Sequence, residues 1–314
     1  MRKVIVSAPG KIHLLGEHSV VYGKPALLTT INLRATATVT QHRNPLFEEG
    51  SIEAKFKKIV EPIVQKKLKL KKMPFYELQI ASQIPLGSGL GSSATISSAY
   101  IGALLTYLRV TWNKDLINEL TFQAERVFQG NPSGGDNSTV IYGGLIWFRK
   151  ETPNLKLIQP LEFSISPKLS KNFILINTGR PQEITAEMVE MVNSKFKVQN
   201  SKFQKIFDHQ EQLVKELLPV LKDGNEKEFL KIIRMGQKNL ETIGVVSKKV
   251  LPIIRQIEKI GGAAKISGAG GKADASGILL CYHPNPLKLI SLAKKNNLDY
   301  FKTKLGVEGV RNET

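Results

Sequence analysis

The pattern of apolar residues predicts three strands in the first third of the chain. Residues 4–8 form a short apolar run that Pro9-Gly10 ends, and residues 26–40 are rich in Thr, Val and Ile, as strands are. Residues 76–83 alternate Tyr, Leu and Ile with Glu, Gln and Ser, which predicts a half-buried strand. This last strand leads directly into a glycine-rich loop at 85–91.

Helical patterns follow that loop. Residues 92 to about 108 are small and apolar, which predicts a tightly packed, buried helix. Asn113 is a candidate N-cap for the next helix. Four apolar residues then recur at helical spacing: Leu116, Leu120, Ala124 and Phe128. A second glycine loop follows at 130–135, and residues 140–148 are expected to form a strand.

The second half of the chain has a different character. Strands are expected at 173–176 and 277–282, with a third glycine loop at 267–271. Five stretches are expected to be helical: residues 184–198, 203–221, 225–242, 247–260 and 286–296. Strands mixed with helices, without strict alternation, predict an α+β architecture. The length of 314 residues favours two domains, which we expect to span residues 1–165 and 166–314.

The composition is that of a globular and strongly basic protein. The chain is 41% hydrophobic and carries a net charge of +18. Such a surface attracts polyanions, but a solvated lysine-rich surface is the simpler explanation. The densest lysine run, residues 66–72, fits the end of an amphipathic helix or an exposed turn. No zinc-finger spacing or aromatic-rich RNA-binding motif accompanies the charge, so we do not expect nucleic-acid binding.

The number of cysteines and the lengths of the apolar runs indicate in which compartment the protein is expected. A single cysteine, Cys281, excludes a disulfide within the chain, which fits a reducing compartment. The basic N-terminus has too few apolar residues for a signal peptide. No stretch approaches the roughly 18 apolar residues that cross a bilayer. We therefore expect a soluble, cytoplasmic protein that does not bind membranes.

Residues 8–23, after the first predicted strand, gather chemically active side chains. Four of them fall within eight residues: Lys11, His13, Glu17 and His18. Taken alone, a Gly/Pro turn with incidental charges explains them equally well. The segment is not a Walker-type loop, because six residues rather than four separate Gly16 from Gly23.

The glycine loop before the buried helix predicts a phosphate site. Alternate glycines let backbone N–H groups approach an anion closely, and the helix start adds unpaired N–H groups and a positive dipole end. Serines there can cap the helix, donate to phosphate oxygens or ligate Mg²⁺. We favour this interpretation over a flexible turn with an N-cap. The candidate residues are Pro85, Gly87, Ser88, Gly89, Leu90, Gly91, Ser92 and Ser93.

Two carboxylates frame the second glycine loop. Glu125 comes late in an amphipathic helix, and Asp136 follows residues 130–135. One could ligate Mg²⁺ and the other could orient a hydroxyl nucleophile. Taken alone, a solvated Glu and an Asp that caps the turn explain them better. The third loop, at 265–274, is either a further backbone nest for an anion or a plain connector.

Together these segments resemble the motifs of the GHMP kinases, with matches near residues 8–27, 84–99, 121–148 and 265–280. Gly16-Glu17-His18-Ser19-Val20-Val21-Tyr22-Gly23 is similar to the form G-E-H-x-V-V-x-G of the mevalonate kinase branch, whereas galactokinases carry G-E-H-T-D-Y. The stretch from Glu125-Arg126 through the loop to Asp136-Asn137 also resembles that branch.

The resemblance implies a fold and a reaction. The family fold packs an α+β N-terminal domain, similar to domain 2 of ribosomal protein S5, on a ferredoxin-like C-terminal domain, with the site in the cleft. The implied reaction transfers the γ-phosphate of ATP, with Mg²⁺, to the primary hydroxyl of mevalonate in isoprenoid precursor biosynthesis. Mevalonate and ATP are the implied partners, and a homodimer is allowed.

The resemblance also implies roles for matching residues. Asp136 is the implied catalytic carboxylate, and Lys11 beside it helps to keep it ionised. Ser93 and Glu125 would hold Mg²⁺, and the loop at 85–93 would cradle the phosphates. The implied acceptor-side residues are Glu17, His18, Gly268 and Ala269, with Thr185 as a weaker candidate.

The chain departs from the family pattern after Gly271. The following run, Lys272-Ala273-Asp274-Ala275-Ser276-Gly277, is longer than the glycine run of the family. Lys272 would attract a phosphate and Asp274 would repel one, and both interpretations stay open. On the adenine side Arg43 and Asn44 are only candidates.

Three alternatives stay open. Another GHMP kinase, for phosphomevalonate or homoserine, would need different acceptor contacts, and a phosphorylated acceptor would need cations beyond Lys11. A non-catalytic sensor of ATP and a metabolite would share the fold, but Lys11, Glu125 and Asp136 are all present. A basic nucleic-acid-binding protein would explain the charge without explaining the motifs.

Overall fold

The computed structural model describes residues 2–42, 49–85, 87–130, 132–152 and 155–314, which contain ten strands and ten helices. The strands are β1 (Lys3–Leu15), β2 (Ala26–Gln41), β3 (Tyr76–Ser82), β4 (Leu145–Lys150), β5 (Lys156–Pro160), β6 (Phe173–Asn177), β7 (Ala263–Ile266), β8 (Ile278–Tyr282), β9 (Tyr300–Thr303) and β10 (Arg311–Asn312). The helices are α1 (Ile52–Leu68), α2 (Ser92–Tyr107), α3 (Lys114–Gln129), α4 (Gly135–Tyr142), α5 (Pro167–Ser170), α6 (Thr185–Val198), α7 (Asn200–Asp223), α8 (Glu226–Ile243), α9 (Leu251–Lys259) and α10 (Pro286–Lys295).

Strand β2 is the centre of the first sheet, whose order is β10-β1-β2-β4-β5 with β3 also on β2. It pairs with β1 along most of its length, with β4 through residues 26–29 and with β3 through residues 35–41. All of these pairings are antiparallel. Helix α2 packs on β1 and β2 and contacts α1, α3 and α4. Its small apolar residues explain how it can be covered on so many sides.

The second sheet, of order β7-β8-β6-β9, is buried on both faces. Side chains of β6 and β8 alternate between two cores, as strand geometry requires. One core, with α6, α9 and α10, takes Ile174, Ile176, Leu279 and Cys281. The other core, with α7, α8 and the end of β1, takes Phe173, Leu175, Leu280 and Tyr282. This second core is shared with the first sheet, so burial of apolar area holds the two sheets together.

Two predicted strands are wrong in extent. Strand β1 does not end at Pro9-Gly10 but continues to Leu15, with a shift of register between Pro9 and Gly10. Proline fits such a bulge because it has no N–H to leave unpaired. Residues 140–148 are not one strand, because α4 continues to Tyr142 and β4 begins only after two glycines.

The lysine-rich run at 66–72 is confirmed as the end of a helix followed by a turn. Helix α1 ends at Leu68, and Lys69 adopts a left-handed φ of 53°. Its N–H donates back to the carbonyls of Gln65 and Lys66, which closes the last turn. The lysines there lie on the outside of the molecule, as the solvated-surface interpretation expects.

The chain returns to the first sheet at its end. Strand β10 pairs with β1 through Val6 and Ser7, and Leu305 and Glu308 form isolated bridges to Ile31 and Gly143. The residues from 305 onward therefore complete the first sheet, although most of the second half builds the second sheet. The domain limits at residue 165 stay a prediction.

The close approach of the chain end to Gly143 predicts a large stability cost for a side chain there. A Cβ on Gly143 would lie 2.3 Å from the backbone nitrogen of Gly309, at a φ of +81°. The next residue, Gly144, has a φ of +69° and no atom within 4 Å of that position. We expect Gly144→Ala to cost about 1 kcal/mol of backbone strain and Gly143→Ala to cost at least about 2 kcal/mol more. Urea unfolding of both variants measures the difference; equal costs would contradict it.

Candidate active site

The Lys11 ammonium and the Asp136 carboxylate form an ion pair of 3.0 Å. Lys11 projects from β1 and is 3% exposed, whereas Asp136 lies in the first turn of α4 with a side chain that is 30% exposed. A buried ammonium needs such a partner because water no longer solvates it. The structure thus brings together the two residues implied as the catalytic pair, and leaves the carboxylate open to a ligand.

The glycine loop is fixed directly against Lys11. The backbone N–H of Lys11 donates to the carbonyl of Leu90 over 2.9 Å. Gly91 has a φ of +77°, and a Cβ there would lie 2.8 Å from Cγ of Lys11. Only glycine allows both this backbone conformation and this close approach. The loop therefore ends beside the Lys11–Asp136 pair.

The start of α2 offers unpaired polar groups beside that pair. Gly91 is its N-cap, and no side chain caps the helix. The Ser92 hydroxyl is buried without a hydrogen-bond partner among the described residues. Gly87 and Gly89 have φ values of +71° and +81°, which turn backbone groups in directions that other residues rarely allow. A loop of this kind running into an uncapped helix is suited to hold phosphate groups.

Glu125 lies next to the same helix start. The Ser93 hydroxyl donates to Oε2 of Glu125 over 3.1 Å, and the Gln129 amide donates to the same oxygen. The other oxygen, Oε1, is buried and has no partner among the described residues. The pKa of Glu125 is raised to about 7, chiefly by burial; the Ser93 hydrogen bond opposes this shift and the charge of the nearby Asp136 adds to it. A buried, half-satisfied carboxylate beside a hydroxyl fits a divalent cation.

The third glycine loop closes the site from the second sheet. The Ser267 hydroxyl accepts a hydrogen bond of 3.1 Å from the backbone of His13, and Gly268 packs against Gly89. His18 Nε2 lies 3.0 Å from the Ala269 carbonyl, so that nitrogen must donate. Burial lowers the pKa of His18 to about 4, which keeps the ring neutral. Segment 8–23, the glycine loop before α2 and the third glycine loop are therefore in contact with one another.

Lys265 is a functional candidate that sequence reasoning left without a role. Its ammonium forms a short, fully buried ion pair with Glu17, across the two halves of the chain. Burial raises the pKa of Glu17, and the Lys265 ammonium opposes that effect. Glu17 also lines a small cavity with residues of α7 and α8. The only local signal was a lysine within the apolar run 263–266.

Of the three remaining candidates, Thr185, Arg43 and Asn44, only Thr185 falls within the described residues. Thr185 is exposed at the first residue of α6. Arg43 and Asn44 fall outside the described residues. Sequence reasoning also missed Arg180, which precedes Thr185 and lies beside Gly87; its only signal was a cation between a buried strand and a helix.

Comparison with known proteins decides the family. The model of the GHMP kinases N terminal domain matches residues 54–144. A mevalonate kinase from Archaeoglobus fulgidus is 34% identical over 273 residues, which cover 85% of this chain and 89% of that protein. The chain belongs to the GHMP kinase family. It is an ATP-dependent phosphotransferase that acts on an alcohol group.

Solved structures of this family share the fold of the chain. The Methanococcus jannaschii mevalonate kinase superposes with a TM-score of 0.81 at 22% identity, over 96% of this chain and 98% of that chain. The Streptococcus pneumoniae phosphomevalonate kinase, in complex with phosphomevalonate and AMPPNP, gives a TM-score of 0.74 at 18% identity, over 97% and 100%. The expected α+β GHMP kinase fold is confirmed.

The described part of the chain lacks two further features. None of its helices is both long and apolar enough to cross a membrane. No group of three or more His, Cys, Asp or Glu side chains in that part of the chain lies close enough to hold a metal ion.

The raised pKa of Glu125 predicts a pH-dependent gain in stability for Glu125→Gln. An unfolded chain loses the proton near the ordinary pKa of 4.5, whereas the folded protein keeps it up to about 7. The wild type therefore loses stability as pH rises between these values, while the neutral variant does not. We expect Glu125→Gln to be more stable by up to about 3 kcal/mol at pH 8, and much less so at pH 5.

Urea unfolding in EDTA at both pH values measures this effect. Glu216→Gln, the same change at an exposed position of α7, is the control and should show no such pH dependence. A constant difference between the Glu125 variant and the wild type at pH 5 and pH 8 would contradict the pKa assignment.

Proposed function

We propose that the protein is a mevalonate kinase, which transfers the γ-phosphate of ATP to the primary hydroxyl of mevalonate and yields 5-phosphomevalonate and ADP. The observation that carries the proposal is the Lys11–Asp136 pair of 3.0 Å at the uncapped start of α2. A carboxylate and a cation next to a glycine loop suited to phosphate groups support the proposal. The similarity to archaeal mevalonate kinases supports the choice of acceptor.

Asp136 and Lys11 divide the work at the acceptor hydroxyl. Lys11 holds the Asp136 carboxylate in place through their ion pair of 3.0 Å. The ionised carboxylate orients the hydroxyl and accepts its proton as the phosphoryl group is transferred. Lys11 also offsets negative charge that develops on the transferring group. Phosphoryl transfer needs little covalent chemistry from the protein, so positioning and charge account for most of the catalysis.

The glycine loop and Glu125 bind the nucleotide and its metal ion. Backbone N–H groups from Gly87 to Ser93 bind the phosphates at the positive end of α2. Ser93 and Glu125 are the residues that would hold Mg²⁺, since an unpaired buried oxygen of Glu125 lies beside the Ser93 hydroxyl. Bound Mg²⁺ neutralises phosphate charge.

The acceptor side is formed by residues from both sheets. His18 presents a neutral ring held by the Ala269 carbonyl, and Gly268 and Ala269 line the same face of the cleft. Glu17 is held by Lys265 behind this surface, which fixes the turn that carries His18. Thr185, the exposed first residue of α6, is the remaining acceptor-side candidate. Small and neutral groups next to one ion pair suit a small hydroxy acid.

Phosphomevalonate is the strongest competing acceptor, because a phosphomevalonate kinase shares the fold. A second phosphate needs a further free cation near the acceptor. Lys11 and Lys265 are already paired with Asp136 and Glu17. Arg180, which has no ion-pair partner among the described residues, lies beside the phosphate loop. A non-catalytic sensor is disfavoured because the catalytic pair is in contact.

We expect Asp136→Asn to lower kcat by roughly 10²–10⁴-fold while ATP affinity changes little, because the amide cannot accept the proton. Steady-state kinetics and nucleotide binding measure the two quantities. Asp223→Asn, a remote exposed change at the end of α7, is the matched control. Full activity of the Asp136 variant would remove that carboxylate from the mechanism.

A panel of acceptors tests the substrate. Purified protein is assayed for ADP release with mevalonate, phosphomevalonate and homoserine at equal concentrations. We expect turnover with mevalonate to exceed that with either of the others. Preference for phosphomevalonate or homoserine would contradict the acceptor assignment, and ATP binding without turnover of any acceptor would favour the sensor.

A further inference from the structure

Two segments of the second half lie side by side over the phosphate loop. We call residues 178–183, which follow β6, the arginine segment, and residues 271–277 the extended loop. A Cβ on Gly271 would lie 2.9 Å from Pro181, and a Cβ on Gly277 would lie 3.5 Å from the carbonyl of Ser88. The extended loop is the part of the chain that departs from the family pattern.

Glu183 joins these two segments through a single oxygen. Its Oε1 accepts hydrogen bonds from the backbone N–H groups of Lys272 and Ala273, over 3.2 and 3.0 Å. Two successive N–H groups that converge in this way form a nest for an anion. The carboxylate of Glu183 fills that nest, while its Oε2 is buried without a partner among the described residues.

Further bonds tie the same two segments. The Gln182 amide donates to Asp274 over 2.9 Å, and Lys249 pairs with the other oxygen of Asp274 over 2.5 Å. The backbone N–H of Ser276 donates to the Thr178 hydroxyl over 3.1 Å. Asp274 is therefore compensated by protein groups, so it does not repel a phosphate as an isolated charge would.

The Lys272 side chain is exposed, and its charge contributes, after burial, to the lowered pKa of Lys195 on α6. What Lys272 gives the extended loop is its backbone N–H, which donates to Glu183.

Arg180, in the arginine segment, lies beside Gly87 of the phosphate loop. A Cβ on Gly87 would lie 3.4 Å from its Nε. The side chain is exposed and has no hydrogen bond or ion pair with any described residue. A guanidinium presents several N–H donors in a planar fork that matches phosphate oxygens. Lys11 contacts the same loop four residues further along, at Gly91.

We propose that Arg180 binds the outer phosphates of ATP and that Glu183 is a positioning residue, which uses the extended loop to hold the arginine segment over Gly87. This inference rests on the proposed use of the glycine loop for ATP, and it is independent of which alcohol is the acceptor. The extended loop then keeps the arginine segment in position.

Calorimetric titration with Mg-ATP and with AMP, without any acceptor, tests the proposal. AMP lacks the outer phosphates, so it serves as the internal reference. We expect Arg180→Ala to weaken ATP binding roughly tenfold and to leave AMP binding unchanged. Glu183→Ala should weaken ATP binding severalfold, and Glu183→Gln should restore it, since Gln retains the oxygen that accepts both N–H groups.

Coupling between the two residues separates positioning from a general structural effect. Adding Glu183→Ala to Arg180→Ala should cause no further loss of ATP affinity, because the arginine to be positioned is gone. Independent, multiplicative losses would overturn the positioning role. Equal losses for ATP and AMP would overturn the phosphate contact.

Two charge variants complete the test. Lys302→Ala removes an exposed cation from the edge strand β9 and should leave ATP affinity within about twofold, as a long-range charge effect is screened by salt. A loss for Lys272→Ala as large as that for Arg180→Ala would overturn the assignment to Arg180.

If mevalonate is not phosphorylated but the coupling between Arg180 and Glu183 is present, the acceptor proposal fails and this inference stands. If the wild type binds ATP no more tightly than AMP, this inference fails.

Discussion

Lys11 carries a charge that the fold has buried, and the need to pair that charge organises the whole site. Its partner, Asp136, comes from another element, so β1 and α4 have to meet. The backbone of Lys11 also holds the glycine loop at Leu90, and its side chain leaves no room for a Cβ on Gly91. The carboxylate, the cation and the open end of α2 therefore converge, because each is fixed by contact with the same residue.

A second buried ion pair, Glu17 with Lys265, joins the two halves of the chain. The Lys11–Asp136 pair joins two elements of the first half in the same way. Ions inside a protein are costly unless they are paired and hydrogen-bonded. The Glu17–Lys265 pair therefore restricts how the third glycine loop and the turn with His18 can be placed. The candidate site is thus formed by loops that two sheets hold in place.

Much of the fold could be predicted from local pattern. Strand β2, the half-buried β3 and helices α2 and α3 follow from the spacing of apolar residues and from the Asn113 cap. The errors arose where a pattern is too short to decide. Val140 and Ile141 suit a strand or a helix equally, and nothing local shows that β1 passes through Pro9-Gly10 by shifting register. Most of α1 was missed, as were the short strands β5, β7 and β9.

The sequence by itself determined the α+β class, the phosphate loop and, through its motifs, the family. From the residues alone Glu125 and Asp136 were better explained as solvated or capping groups. Only the tertiary structure decided which charged residues lie together. Lys265 pairs with Glu17, which is 248 positions away in the sequence. Arg180, in the second half of the chain, lies beside Gly87 in the first half. Periodicity and turn chemistry act over a few residues, whereas such pairs depend on how whole sheets pack.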